Sequence, residues 1–263
     1  MCELLGLSFA RPISADFSIR VFALRAQENA DGWGLAWYPD KSLAIVKEAV
    51  DWRQSAHSRF LETYQTVESR FYIAHVRHRS TGGAPTHANT HPFDREMGGC
   101  HFAFAHNGTL IDYSGLRLKR FRPLGGTDSE YLFCHLLDTI AEGNESLADE
   151  MSWKSLHLNL HRLNSLGTLN CILCDGTRLF AYHDLTAFKG LTLRKMSFSS
   201  SQERRLEDAT VEINLESDQL NHGFVVATCP LGGKGWHKFQ PGQLVVLEEG
   251  RLVYSSHPLQ SLA

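Results

Sequence analysis

The chain of 263 residues carries 26 Lys and Arg against 29 Asp and Glu, which gives a net charge of −3. Because this charge is slightly negative and no basic stripe is visible, the sequence argues against a nucleic-acid partner. No apolar run approaches the ~20 residues that cross a bilayer, and no basic segment followed by a long apolar one opens the chain. We therefore expect a protein without a membrane span or a signal peptide.

Cysteine usage and chain length narrow the class further. Six Cys are scattered through the sequence, which is no disulfide framework at this length, so we expect reduced thiols and a cytoplasmic location. No internal repeat and no linker rich in Pro, Gly or Ser divides the chain. We therefore expect one domain over residues 1–263, a size that a single large domain can reach.

The first half of the chain predicts mainly strands. In order, we expect a strand, a helix, a hairpin, a second helix and two further strands: Cys2–Phe9, Ser14–Ala26, Leu35–Tyr38 paired with Leu43–Ala49, Ser55–Thr66, Phe71–Val76 and Phe102–Ala105. The hairpin turns at Pro39-Asp40. Between the last two strands lies the polar stretch Arg77–Cys100, which shows little periodicity, and loops of that length are usually functional.

The second half predicts two helices followed by strands. A capping box, Thr127–Glu130, opens the helix Tyr131–Ile140, and a second helix follows at Leu147–Leu163 and is closed by Gly167. Hairpins and a single strand make up the rest: Leu169–Cys174 with Arg178–Tyr182 across Asp175-Gly176, Phe224–Thr228, and Leu244–Leu247 with Arg251–Ser255 across Glu249-Gly250. Strands, then two successive helices, then strands are typical of an α+β fold with largely antiparallel sheets.

Cys2 is a candidate nucleophile because of its place at the start of the chain. If Met1 is removed, one residue carries both a thiol and a free α-amine, whose ordinary pKa lies near 8. A nucleophile that uses its own N-terminal amine as the base is a recognised catalytic arrangement. An incidental Cys is the alternative, and position 2 alone does not decide between them.

Three polar clusters each follow a predicted strand, and binding groups gather at strand ends on a rigid scaffold. The clusters are Asp31–Gly34, the run Ala74–Gly83 that continues to Asn89–Phe93, and Ala105–Thr109. Ordinary turn chemistry is the alternative. For Asn107-Gly108 taken alone, a hairpin turn is the better interpretation, because this pair is a common turn sequence.

Two charged residues could hold a charged ligand. Arg77 ends a strand that looks buried, where an unpaired cation is costly, so it needs an anionic partner. A structural ion pair would satisfy that need equally well. Asp128 stands in the first turn of a helix, where the helix dipole favours a carboxylate, and capping alone would explain it.

The sequence does not predict a metal site or a cofactor. Several His are close in sequence, but His75 and His78 are three apart at a strand end and would point to opposite faces. Cys171 and Cys174 lie inside a predicted strand rather than at a helix N-terminus, so packing in the sheet is favoured over redox chemistry. Neither a GxGxxG motif, a P-loop nor an HExxH motif is present.

Taken in order, these pieces resemble the class II glutamine amidotransferases of the N-terminal-nucleophile hydrolase superfamily. The resemblance is good from Cys2 to about Glu142 and looser through the last hairpin. Six motifs match in sequence order: Met1-Cys2, Asp31-Gly32-Trp33-Gly34, His75-Val76-Arg77, Asn89-x-His91-Pro92, His106-Asn107-Gly108 and Thr127-Asp128-Ser129-Glu130. The resemblance implies a four-layer αββα sandwich, in which two antiparallel sheets lie between helix layers.

The resemblance also implies a role for each matched residue. Cys2 is the nucleophile, and the Asn107 side chain with the Gly108 N–H forms the oxyanion hole. Arg77 binds the α-carboxylate of the substrate and Asp128 its α-amine. The remaining candidates are Ser80, Thr81 and His106 for substrate binding, and Asp31, Gly34, His75 and His91 for support of the site.

Two departures from the family pattern resemble its stand-alone bacterial subgroup. Cys2-Glu3-Leu4 replaces the usual Cys-Gly-Ile, and Arg77–Gly82 replaces Arg-Trp-Ala-Thr-His-Gly. Relatives of that subgroup cleave γ-glutamyl bonds in ergothioneine synthesis and glutathione breakdown. The resemblance therefore implies cleavage of a γ-glutamyl amide through a γ-glutamyl thioester, with glutamine or another γ-glutamyl compound as the substrate and without a cofactor.

The leaving group and the partner stay open at this stage. No fixed-charge motif is visible for the leaving amine, and Arg79, His87 and Arg95 are candidates to line that side. No synthase domain is apparent, so we expect ammonia to be released or to reach a separate synthase or acceptor subunit. A non-catalytic binding module of the same fold is the alternative, and a metal-dependent hydrolase is the third reading. The complete set of five residues (Cys2, Arg77, Asn107, Gly108 and Asp128) favours the enzyme.

Overall fold

The computed structural model of the chain describes residues 3–18, 30–51, 54–58, 67–78, 85–143, 146–199, 202–207 and 212–258. Its strands, in chain order, are β1 Glu3–Ser18, β2 Ala30–Trp37, β3 Ala44–Glu48, β4 Glu68–His78, β5 Phe93–Met97, β6 Cys100–Leu110, β7 Gly167–Cys174, β8 Arg178–Tyr182, β9 Thr192–Phe198, β10 Gln202–Glu207, β11 Glu212–Ser217, β12 Asn221–Ala227, β13 Trp236–Lys238, β14 Leu244–Glu248 and β15 Arg251–Ser255. Two α-helices, α1 (Asp128–Glu142) and α2 (Glu150–Leu163), follow β6.

The described strands form two sheets in which every paired strand runs antiparallel to its neighbour. Sheet A has the order β13-β9-β12-β1-β4-β2-β3, with β11 also paired to β1 and β10 paired to β11. Sheet B has the order β15-β14-β8-β7-β6-β5. The predicted α+β fold with antiparallel sheets is confirmed.

Strand β1 is central in sheet A, and its register is set on both sides. Glu3 lies opposite Val76 of β4, and Leu5 lies opposite Ala227 of β12. A bulge shifts the pairing with β4 between Ser8 and Ile13. Because the strand is paired along its length, its N-terminal end is held firmly in the sheet.

The predicted helix over Ser14–Ala26 is wrong at its start. Residues 14–18 continue β1 and pair with β11, while residues 19–29 lie outside the described ranges. Ile13 and Ala15 are both buried, so the apolar residues here recur with the period of two that a strand requires. The apparent helical spacing came from only a few apolar residues, which sheet pairing overrides.

The two sheets face each other across an apolar core. Leu4, Ile73 and Val226 of sheet A pack with Ala105 and Ile172 of sheet B. The backbone of β1 comes close to sheet B at Gly6, where an added Cβ would lie 3.0 Å from the Ile172 side chain. The end of β1 that carries Glu3 is thereby stacked on the middle of sheet B.

Both described helices pack on the outer face of sheet B. Leu136 of α1 and Leu160 of α2 are buried in one cluster with Phe104 and Leu244 of the sheet. Thr127 caps α1 by accepting from the N–H of Glu130, and Asp149 caps α2, which therefore begins three residues later than predicted. Residues 56–58 of the predicted helix Ser55–Thr66 are helical, and its last eight residues lie outside the described ranges. The fourth layer stays a prediction.

The polar stretch Arg77–Cys100 holds structure that its sequence did not reveal. It contains the 3₁₀ turn His87–Asn89 and strand β5, which turns into β6 at Gly98-Gly99, where both φ angles are positive. Strands β9, β10, β11 and β13 were also missed. The interpretation of Asn107-Gly108 as a turn is wrong, because both residues lie within β6 and pair with β7.

The packing of α2 predicts the cost of two matched truncations. Leu160 is buried and Leu158, on the same helix, is 60% exposed. We expect Leu160→Ala to lower the free energy of unfolding by about 2–5 kcal/mol, because it removes buried apolar contacts and leaves a cavity. Leu158→Ala should change it by no more than about 0.5 kcal/mol. Urea unfolding of both variants measures the difference, and equal losses would contradict this packing.

Candidate active site

The start of β1 lies beside the end of β4. Glu3 pairs with Val76, and the residue that precedes Glu3 in sequence is Cys2, which lies outside the described residues. Glu3 is buried, and its carboxylate accepts a hydrogen bond from the hydroxyl of Thr228. The N–H of Leu4 donates to Thr228 Oγ1 over 3.2 Å, and the N–H of Thr228 donates to the Leu4 carbonyl over 3.1 Å. The chain is thus anchored one residue after the predicted nucleophile.

Strand β2 supports the same end of β4. Gly32 pairs with Arg77 and Gly34 pairs with His75. An added Cβ at Gly34 would lie 2.2 Å from the carbonyl oxygen of His91, so only glycine allows this approach. The side chains of Arg77 and Asp31, and the whole of Ser80 and Thr81, lie outside the described part of the structure.

His75 and His91 pack against each other between β4 and the segment that precedes β5. Both are buried, and their ring centroids are 4.2 Å apart. The His91 ring also lies 4.5 Å from the ring of Phe93. These contacts attach the chain around His91 to sheet A. The supporting role of both histidines in the site stays a prediction.

His106, Asn107 and Gly108 occupy consecutive positions near the end of β6. Asn107 is buried and lies opposite Asn170 of β7. At Gly108, an added Cβ would lie 2.0 Å from the carbonyl oxygen of Thr168, so a side chain there would displace β7. The expected oxyanion residues therefore stand on a strand that pairs with β7 at these positions, not on a loop.

The imidazole of His106 joins three elements. Its Nε2 lies 3.1 Å from the Thr168 carbonyl of β7, and its Nδ1 lies 2.9 Å from the Ser129 hydroxyl of α1. A carbonyl only accepts, so Nε2 carries the proton and Nδ1 accepts from Ser129. Burial lowers the pKa of His106, although the charge of Asp128 acts in the opposite direction. Both ring nitrogens thus bind protein atoms.

Asp128 ties the N-terminus of α1 to the end of β6. Its Oδ2 accepts from the N–H of Leu110 over 2.7 Å, two residues beyond Gly108. The side-chain cap of the helix is Thr127, so capping is not the principal role of Asp128. The half-buried carboxylate lies beside the strand that carries Asn107 and Gly108.

Glu130 and Asn89 also shape this region, and the sequence did not reveal their roles. The Glu130 carboxylate does not complete the predicted capping box. It accepts from the N–H groups of Leu124 and Gly125 and pairs with Arg95 over 2.6 Å. Arg95 therefore stabilises the loop before Asp128, and its place on the leaving-group side stays a prediction. The capping-box pattern was the only local signal for Glu130. It does not distinguish a carboxylate that caps its own helix from one that binds the preceding loop.

Asn89 connects that loop to the chain around His91. Its Oδ1 accepts from the N–H of Gly126 over 2.8 Å. Residues 89 and 91 are separated by at most ~7 Å of extended chain. The contact of His91 with sheet A and the contact of Asn89 with the loop before Asp128 are therefore close in space. This places the end of β4, which carries His75, near the start of α1, which carries Asp128.

Four of the described cysteines are poor nucleophiles. Burial raises the pKa of Cys100, Cys171 and Cys174, and raises that of Cys134 to about 11. Thiols of this kind stay protonated at neutral pH. The predicted packing of Cys171 and Cys174 in the sheet is confirmed by their burial within β7.

The described residues contain no group of three or more His, Cys, Asp and Glu side chains that could hold a metal ion. Neither of their two long helices is apolar enough over sufficient length to cross a bilayer.

Sequence comparison relates the whole chain to one family. The sequence model of the class II glutamine amidotransferases matches residues 1–261. An uncharacterized protein of Methanocaldococcus jannaschii is 36% identical over 268 aligned residues, which cover 100% of this chain and 73% of that protein. The Escherichia coli protein YafJ, provisionally named a glutamine amidotransferase, is 33% identical over 251 residues, which cover 92% of this chain and 96% of its own length.

Solved structures share the fold. A predicted glutamine amidotransferase from Pseudomonas aeruginosa superposes with a TM-score of 0.73 at 26% identity, covering 96% of this chain and 100% of that one. Glutamine phosphoribosylpyrophosphate amidotransferase from Bacillus subtilis superposes with a TM-score of 0.63 at 16% identity, covering 97% of this chain and 49% of that enzyme. The second likeness extends to the fold alone.

The contacts of His106 predict its titration. Since burial lowers its pKa, the folded protein should keep His106 neutral, with the proton on Nε2, at pH values where histidine in the unfolded chain (pKa ~6.5) is half protonated. His106 should then contribute to stability fully above pH ~6.5 and progressively less below it, because only the unfolded state gains the proton. Long-range ¹H–¹⁵N spectra of the imidazole resonances measure this. An imidazolium signal for His106 at pH 6.5 would contradict the assignment.

Proposed function

Because the chain belongs to the class II glutamine amidotransferases, we propose that it hydrolyses γ-glutamyl amides with Cys2 as its nucleophile. The substrate is glutamine or another γ-glutamyl compound, and the products are glutamate and ammonia or an amine. The observation that carries the proposal is the hydrogen bond between Asp128 and Leu110, which holds a carboxylate beside Asn107 and Gly108. A γ-glutamyl substrate needs a counter-charge for its ammonium and donors for its oxyanion in the same pocket.

Substrate recognition follows from the charges of the γ-glutamyl group. Its α-carboxylate matches the planar guanidinium of Arg77, which can bind it through two parallel hydrogen bonds. Its α-ammonium matches the carboxylate of Asp128. In support, Asp128 uses Oδ2 for the N–H of Leu110, while no described residue donates to Oδ1. One oxygen is therefore engaged in positioning the side chain, and the other is available to a ligand.

The chemistry assigned to Cys2 is nucleophilic catalysis at its own N-terminus. After removal of Met1, the α-amine takes the thiol proton, directly or through a water molecule, and the thiolate attacks the amide carbon. The Asn107 side-chain amide and the Gly108 N–H donate to the oxyanion, and one such donor is typically worth about 3–4 kcal/mol. The α-ammonium of Cys2 gives the proton that it took from the thiol to the leaving amine. Water then hydrolyses the γ-glutamyl thioester to glutamate. The ammonia is released or passes to a separate synthase or acceptor subunit.

The nucleophile assignment is tested by removal of single thiols. We expect Cys2→Ala to abolish turnover, whereas Cys100→Ala, at a half-buried thiol of sheet B, should leave it within about twofold of the unchanged enzyme. A diazo-ketone analogue of glutamine should label Cys2 alone, and intact-mass spectrometry of active protein should show loss of Met1. Activity that survives Cys2→Ala, or full activity with Met1 retained, would falsify the nucleophile or the base.

A second pair of variants separates binding from chemistry. Asn107→Ala should lower kcat by about 10²–10³-fold with little change in KM, because its hydrogen bond strengthens in the transition state. Asp128→Asn keeps an acceptor for Leu110 but removes the charge, and should raise KM by about 10–100-fold. Asp112→Asn is the control, since Asp112 is exposed and lies two residues after Leu110 in the sequence. Steady-state kinetics with glutamate detection measure all three, and the reverse pattern would mean that the two roles are interchanged.

A further inference from the structure

One short segment connects the two halves of the candidate site. We call residues 87–92 the bridge. At one end the His91 ring packs on His75, which lies two residues before Arg77. At the other end Asn89 accepts from the N–H of Gly126, two residues before Asp128. The position of the bridge therefore sets the separation between the end of β4 and the carboxylate of Asp128.

Lys47 of β3 forms two hydrogen bonds with the bridge. Its ammonium donates to the carbonyl oxygens of Thr90 and Pro92, each over 2.9 Å, and so binds the main chain on both sides of His91. Lys47 is only 8% exposed, and its Nζ lies 5.3 Å from the centre of the Phe93 ring. Gly34, the partner of Lys47 in β2, leaves no room between the hairpin and the bridge. Lys47, Gly34 and the bridge thus pack as one unit.

Burial of the Lys47 ammonium has an unfavourable desolvation free energy. None of the described acidic side chains forms a salt bridge with Lys47, and two carbonyls satisfy two of its three N–H groups. Burial accordingly lowers the pKa of Lys47, against the opposing charges of Asp94 and Glu130. A methionine could pack here without the desolvation of a cation. Stability alone is therefore a weak reason for a lysine at this position. Its two hydrogen bonds to main-chain carbonyls of the bridge supply a more specific reason, because a methionine cannot donate them.

We propose that Lys47 is a positioning residue that sets the place of Asp128 through the bridge. The path runs from the Lys47 ammonium to the carbonyls of Thr90 and Pro92, along the chain to Asn89, and across its hydrogen bond to Gly126. The effect on substrate binding rests on the proposed function, whereas the hydrogen-bonded connection does not. Lys47 thereby controls selectivity for a substrate that carries an α-amine, without contacting the substrate.

Amide hydrogen exchange tests the connection without any assay of activity. In Lys47→Met, the amides of Gly126 and Leu110 should exchange about tenfold faster, because their acceptors Asn89 and Asp128 are less well held. The amide of Arg120, which donates to Asp138 from the same loop, should be unchanged. The control variant is Lys41→Met, an exposed lysine of the same hairpin. Unchanged exchange at Gly126, or equal acceleration at Arg120, would overturn the proposal.

Substrate selectivity tests the consequence. Glutamine and glutaric acid monoamide differ only in the α-amine that Asp128 is assigned to bind. Lys47→Met should reduce the preference for glutamine by about 10- to 100-fold, through a higher KM and a nearly constant kcat. In an Asp128→Asn background, the same change should leave the preference unaltered, because the residue through which Lys47 acts has lost its charge. A proportional loss of activity on both substrates, with the preference kept, would indicate a merely structural role and overturn the proposal.

The two tests separate failure of this proposal from failure of the proposed function. If the wild-type protein cleaves neither glutamine nor any member of a panel of γ-glutamyl amides and peptides, while exchange at Gly126 responds to Lys47→Met, the connection stands and the proposed function fails. If Lys47→Met does not fold, Asn89→Ser breaks the same path at its other end, and both readouts apply to it. A folded Asn89→Ser variant with unchanged Gly126 exchange and unchanged preference for glutamine would overturn the connection.

Discussion

The hydrogen bond from the N–H of Leu110 to Asp128 is the contact on which the candidate site depends. It joins the first residue of α1 to the end of β6, within two residues of Gly108. Strand β6 is held by β5 and β7, and α1 packs its apolar face on the same sheet. The position of the Asp128 carboxylate relative to Asn107 and Gly108 therefore depends on the packing of a core and on the loop before α1, which Asn89 of the bridge holds. A site held in this way is organised before a ligand arrives, which reduces the entropy lost on binding.

Close approach between backbones is the second constraint. Gly34 brings the β2–β3 hairpin against the chain around His91, and Gly108 brings β6 against Thr168 of β7. In both places the distance from an added Cβ to a backbone oxygen would be about 2 Å. These glycines are required because two backbones pass at the site, whereas turn geometry explains Gly98 and Gly99. At these two positions the close packing of main chain against main chain leaves no room for a side chain.

Buried polar side chains then attach the irregular segments to this frame. His106 binds Ser129 and the Thr168 carbonyl, Glu130 binds the loop before α1, and Lys47 binds the bridge. In each case the partners include main-chain groups, which need a hydrogen bond when they are buried. The cost of desolvation is offset because Glu130 and Lys47 each hold an irregular segment that contains or adjoins a predicted site residue, and His106 joins β6 to β7 and α1. Positions of this kind tolerate substitution poorly even where they do not touch a ligand.

Local pattern in the sequence determined much of the fold and the identity of the candidate residues. Alternating apolar residues predicted β1, and short apolar runs predicted β4 and β6. The pairs Asp175-Gly176 and Glu249-Gly250 placed two hairpin turns, because turns with positive φ have a local sequence signal. The order of six motifs identified the family. Tertiary structure alone decided that Ser14 continues a strand, that Asn107-Gly108 lies inside β6, and that Glu130 binds a loop instead of its own helix cap. Each of these outcomes depends on a partner distant in sequence (β11, β7 and Arg95), and a local pattern contains no information about which distant group will supply the hydrogen bond.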